Sequence, residues 1–563
     1  MPSELRGLHG EENVDVIVQY RRQPDDAIHQ RRARAGRAQL KRGLDVIRSA
    51  NYSLPASEVQ DLANDPDVEF VWPDRIVSAT AAPVYTGSPD YGWMTSGAQL
   101  ASNVFGLDGT GIGIAMIDSG INDADDLKDA KGHNRIVYKA SFLNGNNQDD
   151  HYGHGTHVAG ILVGNGKKST GGSSTYLVRG IASNANLISL RALDDNGQGT
   201  DSAVISAIQA AIALKNTYNI RVINLSIGRP VFTSYVKDPL CQAVQQAWQA
   251  GIVVVVSAGN GGRDNSSGTN GYGTITAPGN SPYAITVGAM NTEGTLSPAD
   301  DKIASYSSKG PSAIDHIVKP DLVAPGNRII SLNHGGSWLD KNYPGNDVAK
   351  MVYNGTKDTS GPDYFMLSGT SMAAPMVAGA AALLIQQNPN LTPDQVKARL
   401  MKTATKFAPG YSTATDPETG ITYTSEYDIF TIGAGYLNIT AALADNSLLN
   451  GAALSPTGSY DASHKQVIVG PTGTSAAWGS SAAWGTSAVW GTSAVCGTSA
   501  VWGTSVFIVG TSAVWGTGAV WGTSAVWGTT TPQALSAVWG TTGVWGTGTL
   551  AAEAVVVAIN GDK

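Results

Sequence analysis

Val14, Val16, Val18 and Tyr20 recur at every second position of residues 12–20. That period of two predicts a strand buried on one face. Residues 25–48 are rich in Arg and Ala and contain no Pro. They read as a solvated helix, although Gly36 and Gly43 fall inside it. Pro55–Asp65 reads as a second, short helix, and Val68–Val71 as a strand that closes at Pro73. Residues 1–82 therefore form a small α+β unit. The stretch Ser78–Pro89 is mostly Ala, Thr, Pro, Ser and Gly, and reads as a linker out of it.

From residue 105 the pattern changes. Strands are expected at Gly111–Ile117, Leu187–Leu193, Val222–Ser226, Ile252–Ala258 and Ala284–Ala289. Helices are expected from His154, at Ser202–Leu214, at Pro239–Ala250 and over Met376–Ile385. Thr392, Pro393 and Gln395 form a capping box with Pro at the first helical position, so another helix begins there and runs to about Lys402. Runs such as Ile252–Val256 have no polar side, which marks strands covered on both faces. Strands of that kind alternating with helices predict an α/β domain, a doubly wound parallel sheet, over residues 83–445. Residues 446–470 read as a linker.

Residues 471–552 repeat the hexad Trp-Gly-Thr-Ser-Ala-Val. Trp stands at 478, 484 and 490; Cys496, Trp502 and Ile508 take the next three slots. After one inserted residue the series resumes at Trp515, Trp521 and Trp527, is interrupted at Gln533, and ends with Trp539 and Trp545. Six is even, so an extended chain places every Trp on one face. Stacked hexads would bury that ladder, which gives the tail β character; plain low-complexity sequence is the alternative. Residues 553–563 read as a closing strand and tail.

Composition narrows the function. Charged residues are 15% of the 563, against about 25% in an ordinary domain. A formal net charge of −8 disfavours nucleic acid as the main partner. No run of about 20 apolar residues exists, so no transmembrane helix is expected. Two Cys cannot build a disulfide framework or a thiolate metal centre. The first 15 residues are charged and lack an apolar core, so no signal peptide is expected within them.

Three Gly-flanked segments carry chemistry. Asp118 follows the apolar run Ala115–Ile117, His154 opens a helix in Gly-His-Gly-Thr-His, and Ser371 opens an apolar helix in Gly-Thr-Ser-Met-Ala-Ala-Pro. In an open parallel sheet, strand carboxyl ends and helix N-termini gather on one edge, so these three side chains are expected to converge. A Ser hydroxyl needs a base to become a nucleophile, a neutral His is such a base, and a buried carboxylate orients it. The backbone N–H of Ser371 and the side chain of Asn260 are candidate donors to an oxyanion. His157 lies one turn beyond His154 and invites a metal-site reading, but no carboxylate motif completes it, so it is taken as structural. Cys241 is expected to be buried and inert, and Cys496 to be drift within the repeat.

With their chain order Asp, His, Ser, these segments resemble the subtilisin-like serine proteases (subtilases). The resemblance covers residues 105–441 and ends in Gly433–Asn438; Lys319–Gly326 also fits, and is most similar to the AprX-like branch of that family. The resemblance implies Asp118 as orienting acid, His154 as base, Ser371 as nucleophile and Asn260 as oxyanion donor. It implies that Ser226, Ile227 and Gly228 pair with the substrate backbone. It implies that Ser257, Ala258 and Gly259 line the pocket for the residue before the scissile bond, with Thr276 near its base. Small neutral walls predict apolar or aromatic side chains there. The N-terminal unit, with its closing segment Asp65–Asp74, resembles the subtilase propeptide, an intramolecular inhibitor; an unrelated α+β adaptor is the alternative. Cleavage is then expected between Val77 and Pro89.

No cofactor is expected for the chemistry. Many relatives hold calcium in a loop after the His helix, but here Gly164–Ser174 carries Lys167 and Lys168 and no carboxylate. Asp126 matches one ligand position of the family and, standing alone, is expected to be a surface residue. The chain is therefore read as a zymogen of a peptide-cleaving enzyme, with extracellular localisation favoured over cytoplasmic. Its tail is free to self-associate or bind a surface. A catalytically dead scaffold is disfavoured because every triad and oxyanion position is present.

Overall fold

The computed structural model describes residues 10–25, 28–29, 38–79, 92–170, 174, 176–266, 268–357, 361–407, 410–416, 420–448, 451–461, 466–470 and 562, with Pro2 and Leu5. The hexad tract lies outside the described residues.

The N-terminal unit is a four-stranded antiparallel sheet in the order β2-β3-β1-β4, made of β1 (Asn13–Tyr20), β2 (Gln39–Leu44), β3 (Ser49–Pro55) and β4 (Val68–Pro73). Helix α1 (Val59–Ala63) lies between β3 and β4. Val16, Val18, Tyr20, Tyr52 and Val71 form its own core. Ile17, Leu44, Ile47, Trp72 and Val77 instead join the main core of the next domain. Both faces of β1 are thus covered, one by its own unit and one by the domain that follows.

The helix expected across 25–48 is corrected here: Gln39–Leu44 is a strand and Asp45–Ile47 a single 3-10 turn. β2 pairs only with β3, and Gln39, Leu40 and Lys41 face solvent. An edge strand with charged, exposed positions lacks the alternation that would reveal it.

The second domain is built on an eight-stranded sheet. Its strands are β6 (Gly113–Asp118), β7 (Ile136–Ser141), β8 (Asn186–Arg191), β10 (Ile220–Leu225), β12 (Val253–Ser257), β13 (Ile285–Asn291), β14 (Lys302–Ile303) and β15 (Leu322–Pro325). The order is β14-β13-β12-β10-β6-β8-β7, with β15 also on β13. Every pairing is parallel except β13 with β14. The chain winds away from β6 in two directions, which makes the carboxyl end of β6 a topological switch point.

Helices α2 (His154–Val163), α3 (Asp201–Ala213), α4 (Pro239–Gln249), α5 (Thr370–Gln387) and α6 (Pro393–Thr403) cover the sheet. In α5 every residue from Thr370 to Ile385 is buried, as its lack of a polar face requires. No helix among the described residues is long and apolar enough to cross a membrane.

Shorter strands complete the molecule: β5 (Ile76–Ala79), β9 (Gln198–Thr200), β11 (Ile227–Gly228), and the hairpin strands β16 (Ile329–Leu332) and β17 (Tyr364–Leu367). Two further hairpins are β18–β19 (Tyr411–Thr415, Thr422–Glu426) and β20–β21 (Thr457–Asp461, Gln466–Gly470). The last of these corrects the reading of 446–470 as a linker. Thr457 bridges to Ile317, and the Val318 N–H donates to Pro456 O at 2.8 Å, so this hairpin is fastened to the domain.

Candidate active site

Asp118 ends β6 and His154 begins α2, and both side chains are fully buried. His154 Nδ1 lies 2.7 Å from Asp118 Oδ1. An ionised carboxylate only accepts, so Nδ1 carries the proton and Nε2 presents its lone pair. Among the described residues Nε2 is buried with no hydrogen-bond partner. A buried imidazole with one nitrogen fixed and the other open is a base waiting for a proton.

Asp118 is itself held in place. Ser119 donates to its Oδ1 from the backbone N–H at 2.8 Å, and Ser119 Oγ donates to Asp150 Oδ1 at 2.8 Å. Asp150 also accepts from the N–H of Gly153 and of Thr156, both at 2.7 Å, at the start of α2. A carboxylate there satisfies orphan donors and favours the helix dipole. Sequence reasoning missed Ser119 and Asp150. The signal available was an Asp four residues before His154.

Ser371 sits in the first turn of α5, where backbone N–H groups have no intrahelical acceptor. Its Oγ donates to Ser226 O at 3.0 Å, and Ser226 Oγ donates back to Ser371 O at 2.8 Å. The second bond has a covalent origin. In a regular helix Ser371 O accepts from residue 375, but residue 375 is Pro and has no N–H. Pro375 thus frees the carbonyl that Ser226 takes. The hydroxyl engages Ser226 O, and His154 Nε2 makes no hydrogen bond to it.

Asn260 follows β12 by three residues. Its Oδ1 accepts from the Thr370 N–H at 3.0 Å and from Thr370 Oγ1 at 3.0 Å. A backbone N–H can only donate, so the amide orientation is fixed, and Nδ2 is the end directed away from Thr370.

The residues expected to line the pocket also come together. Gly228 and Gly259 both face Thr276: a Cβ on Gly228 would meet Thr276 Oγ1 at 2.4 Å, and one on Gly259 would meet Thr276 Cγ2 at 2.8 Å. Gly259 also has φ +105°, which only glycine adopts without strain. Thr276 N–H donates to Ala258 O at 3.0 Å and Ser257 Oγ to Ile227 O at 3.3 Å.

β5 crosses this region as the middle of a three-stranded sheet, β11-β5-β9. Both pairings are antiparallel, Ile227 with Ala79 and Gly228 with Ser78 on one side, Ile76 with Thr200 and Val77 with Gly199 on the other. The N-terminal unit therefore delivers an extended strand along Ile227–Gly228. It is held by further contacts. Asp74 accepts from Ser202 N–H at 2.8 Å and from Ser202 Oγ at 2.5 Å at the start of α3, and Gln19 bonds Gln242 at 2.8 Å on α4.

Two other candidates resolve differently. His157 is buried; its Nε2 faces the carbonyls of Ile329 and Phe365, each at 3.1 Å. Burial, then the nearby His154, push it down to about 3, against the two carbonyls that pull it up. The unfolded chain takes a proton near the ordinary 6.5 while the folded chain refuses it. The stability gained is complete above pH 6.5 and drains as pH falls toward 3, at ~1.4 kcal/mol per pH unit. Between pH 7 and pH 5, His157→Gln should lose ~2 kcal/mol less than the parent in urea unfolding. An unchanged pH slope would remove His157 as the cause.

Asp126 is not at the surface, which corrects the sequence expectation. It is buried, accepts from Tyr364 Oη at 2.5 Å and from the Lys168 N–H at 2.8 Å. The Lys168 ammonium lies 3.5 Å from Asp125 and 3.6 Å from Asp363. Two carboxylates engaged by an ammonium and one by a tyrosine do not fit a calcium site. Cys241 is buried with Sγ 3.2 Å from Asn280 Oδ1, and burial raises its thiol well above the ordinary range.

Comparison with known proteins places this geometry. The chain is 39% identical over 313 residues to the serine protease AprX of Bacillus subtilis, which covers 54% of this chain and 64% of that one. It is 32% identical over 366 residues to subtilisin E of the same species, covering 65% and 78%. Among solved structures it resembles fervidolysin of Fervidobacterium pennivorans, a keratinolytic enzyme related to subtilisin, with a TM-score of 0.57 at 21% identity over 81% of this chain and 65% of that one. The model of the subtilase family matches residues 109–425, more than half of the sequence. The chain belongs to the subtilase family of serine endopeptidases.

Proposed function

We propose that the chain is a serine endopeptidase zymogen in which Asp118, His154 and Ser371 act as the triad. The observation that carries this reading is the buried His154, with Nδ1 bound to Asp118 and Nε2 open. His154 Nε2 takes the Ser371 proton as Oγ attacks the scissile carbonyl. The resulting oxyanion accepts from the Ser371 N–H and from Asn260 Nδ2. His154 then gives its proton to the leaving amine, and water repeats the sequence on the acyl-enzyme. None of these steps uses a metal.

β9 and β11 offer main-chain edges to an extended peptide, a β-augmentation mode of recognition. β5 occupies that place in the uncut chain, which supports the reading of residues 1–82 as an inhibitory propeptide. Cleavage then falls between Val77 and Pro89. Gly228, Gly259 and Thr276 are small and neutral and lie against one another, which supports an apolar or aromatic preference for the residue before the scissile bond. An extracellular setting fits a chain with two Cys.

Intact-mass analysis of freshly purified chain should show loss of an N-terminal piece ending between residues 77 and 89. Peptides with Phe or Leu before the scissile bond should be cut at least about tenfold faster than those with Arg or Lys. An uncut chain with no peptide hydrolysis would overturn the function; a preference for Arg or Lys would overturn only the pocket.

A further inference from the structure

Asp562 lies 92 residues beyond the last described residue of hairpin β20–β21, yet it is buried against the catalytic domain with 4% of its surface exposed. Its carboxylate accepts from Arg263 Nη2 at 2.8 Å, from the Ser305 N–H at 2.5 Å and from Ser305 Oγ at 2.5 Å. Its backbone exchanges two bonds with the Asn327 side chain: Asn327 Nδ2 donates to Asp562 O and the Asp562 N–H donates to Asn327 Oδ1, both at 2.9 Å.

The three partners come from three separated segments. Arg263 lies three residues past Asn260, Ser305 follows β14, and Asn327 follows β15. The catalytic domain holds them with bonds of its own. Arg263 Nε donates to Ser305 Oγ at 2.8 Å, and Arg263 Nη1 donates to Asp416 Oδ2 at 2.8 Å. Arg263 and Asp416 already balance in charge. What remains is Arg263 Nη2, the Ser305 N–H and Ser305 Oγ converging on one point, and a carboxylate is the group that uses all three. An amide in place of the carboxylate would turn an N–H toward some of these donors.

We propose that Arg263 and Ser305 form a carboxylate socket, with Asn327 clasping the adjoining backbone, whose ligand is Asp562 of the same chain. The described residues on either side of the hexad tract are then both fastened to the catalytic domain, through the β20–β21 hairpin at one end and the socket at the other. The socket also lies close to the site. Asn327 adjoins Gly326, whose carbonyl accepts from the Gly369 N–H at 2.8 Å, two residues before Ser371. None of this rests on the peptidase reading.

The test uses the full chain carrying Ser371→Ala, to prevent self-cutting, and a site-specific protease sequence inserted at Gln533. After cutting, the fragment bearing Asp562 should co-elute with the body on native size exclusion. Excess free peptide of sequence Ala-Ile-Asn-Gly-Asp-Lys should displace it, and the same peptide with Asn in place of Asp should be at least tenfold weaker. In an Asp562→Ala version the fragment should be lost on cutting. Separation of the parental fragment overturns the proposal. So does equal retention with Asp562→Ala, or equal displacement by the two peptides. The peptide arm needs no variant of the socket, so a misfolded substitution does not blunt the test.

Discussion

Ser371→Ala should stop peptide hydrolysis and leave the N-terminal unit attached. The expected loss in kcat is about 10⁶-fold, a scale carried over from the nucleophile of a related subtilisin. The physical reason is that no other group at the site can form the acyl bond: His154 is committed to Asp118 on one side, and Asn260 is oriented as a donor by Thr370. The fold should survive. The substitution removes one neutral hydrogen bond, from Ser371 Oγ to Ser226 O, worth about 1 kcal/mol. The bond from Ser226 Oγ to Ser371 O uses the backbone and remains. Intact mass and a thermal melt check both halves. Continued self-cutting at the parental rate would place the nucleophile elsewhere.

Arg229→Ala should be the most destabilising single change near the cleft, at ~3–5 kcal/mol. Arg229 follows β11, and its fully buried guanidinium bonds Asp201 at 2.8 and 2.9 Å and Asp238 at 2.8 and 2.9 Å. Asp201 follows β9, so this one side chain ties together the two strands that flank β5. Two carboxylates around one cation leave a negative excess. Both stand at helix N-termini, Asp201 opening α3 and Asp238 capping α4, where the dipoles offset it. Burial alone would lower the Arg229 pKa, but the two carboxylates outweigh it and the net shift is upward. Removing the guanidinium strands both carboxylates in a dry interior. Arg229→Lys should recover little, because an ammonium cannot match two planar carboxylates at once. Urea unfolding in a Ser371→Ala background measures the cost. A loss below 1 kcal/mol would show that the charges relax into water.

The sequence was most legible where chemistry and backbone constraint fall in one short segment. Asp118, His154 and Ser371 each lie among glycines at a strand end or helix start, so type, neighbours and element could be read together. The parallel sheet was legible for a similar reason, since Val253–Val256 has no polar side to offer solvent. What escaped reading depends on partners far away in the chain. β2 gave no alternation because it is an exposed edge. β9 and β11 are three and two residues long and are strands only because β5 lies between them. Asp126 looked like a surface acid because its partner, Tyr364, is 238 residues away. Arg229 and Arg263 carry no local mark that distinguishes them from solvent-facing arginines.

On the proposed reading of residues 1–82 as an inhibitory unit, the position of β5 between β9 and β11 has a consequence for how inhibition ends. While β5 remains joined to the body, it competes for the cleft at an effective concentration in the ~mM range, which few free substrates can match. A cut beyond Ala79 leaves the hydrogen bonds of that strand in place. It converts a fixed local concentration into the concentration of the solution. Release is then governed by dilution and by destruction of the freed unit, so the processed enzyme should be quiet when crowded and active when spread thin.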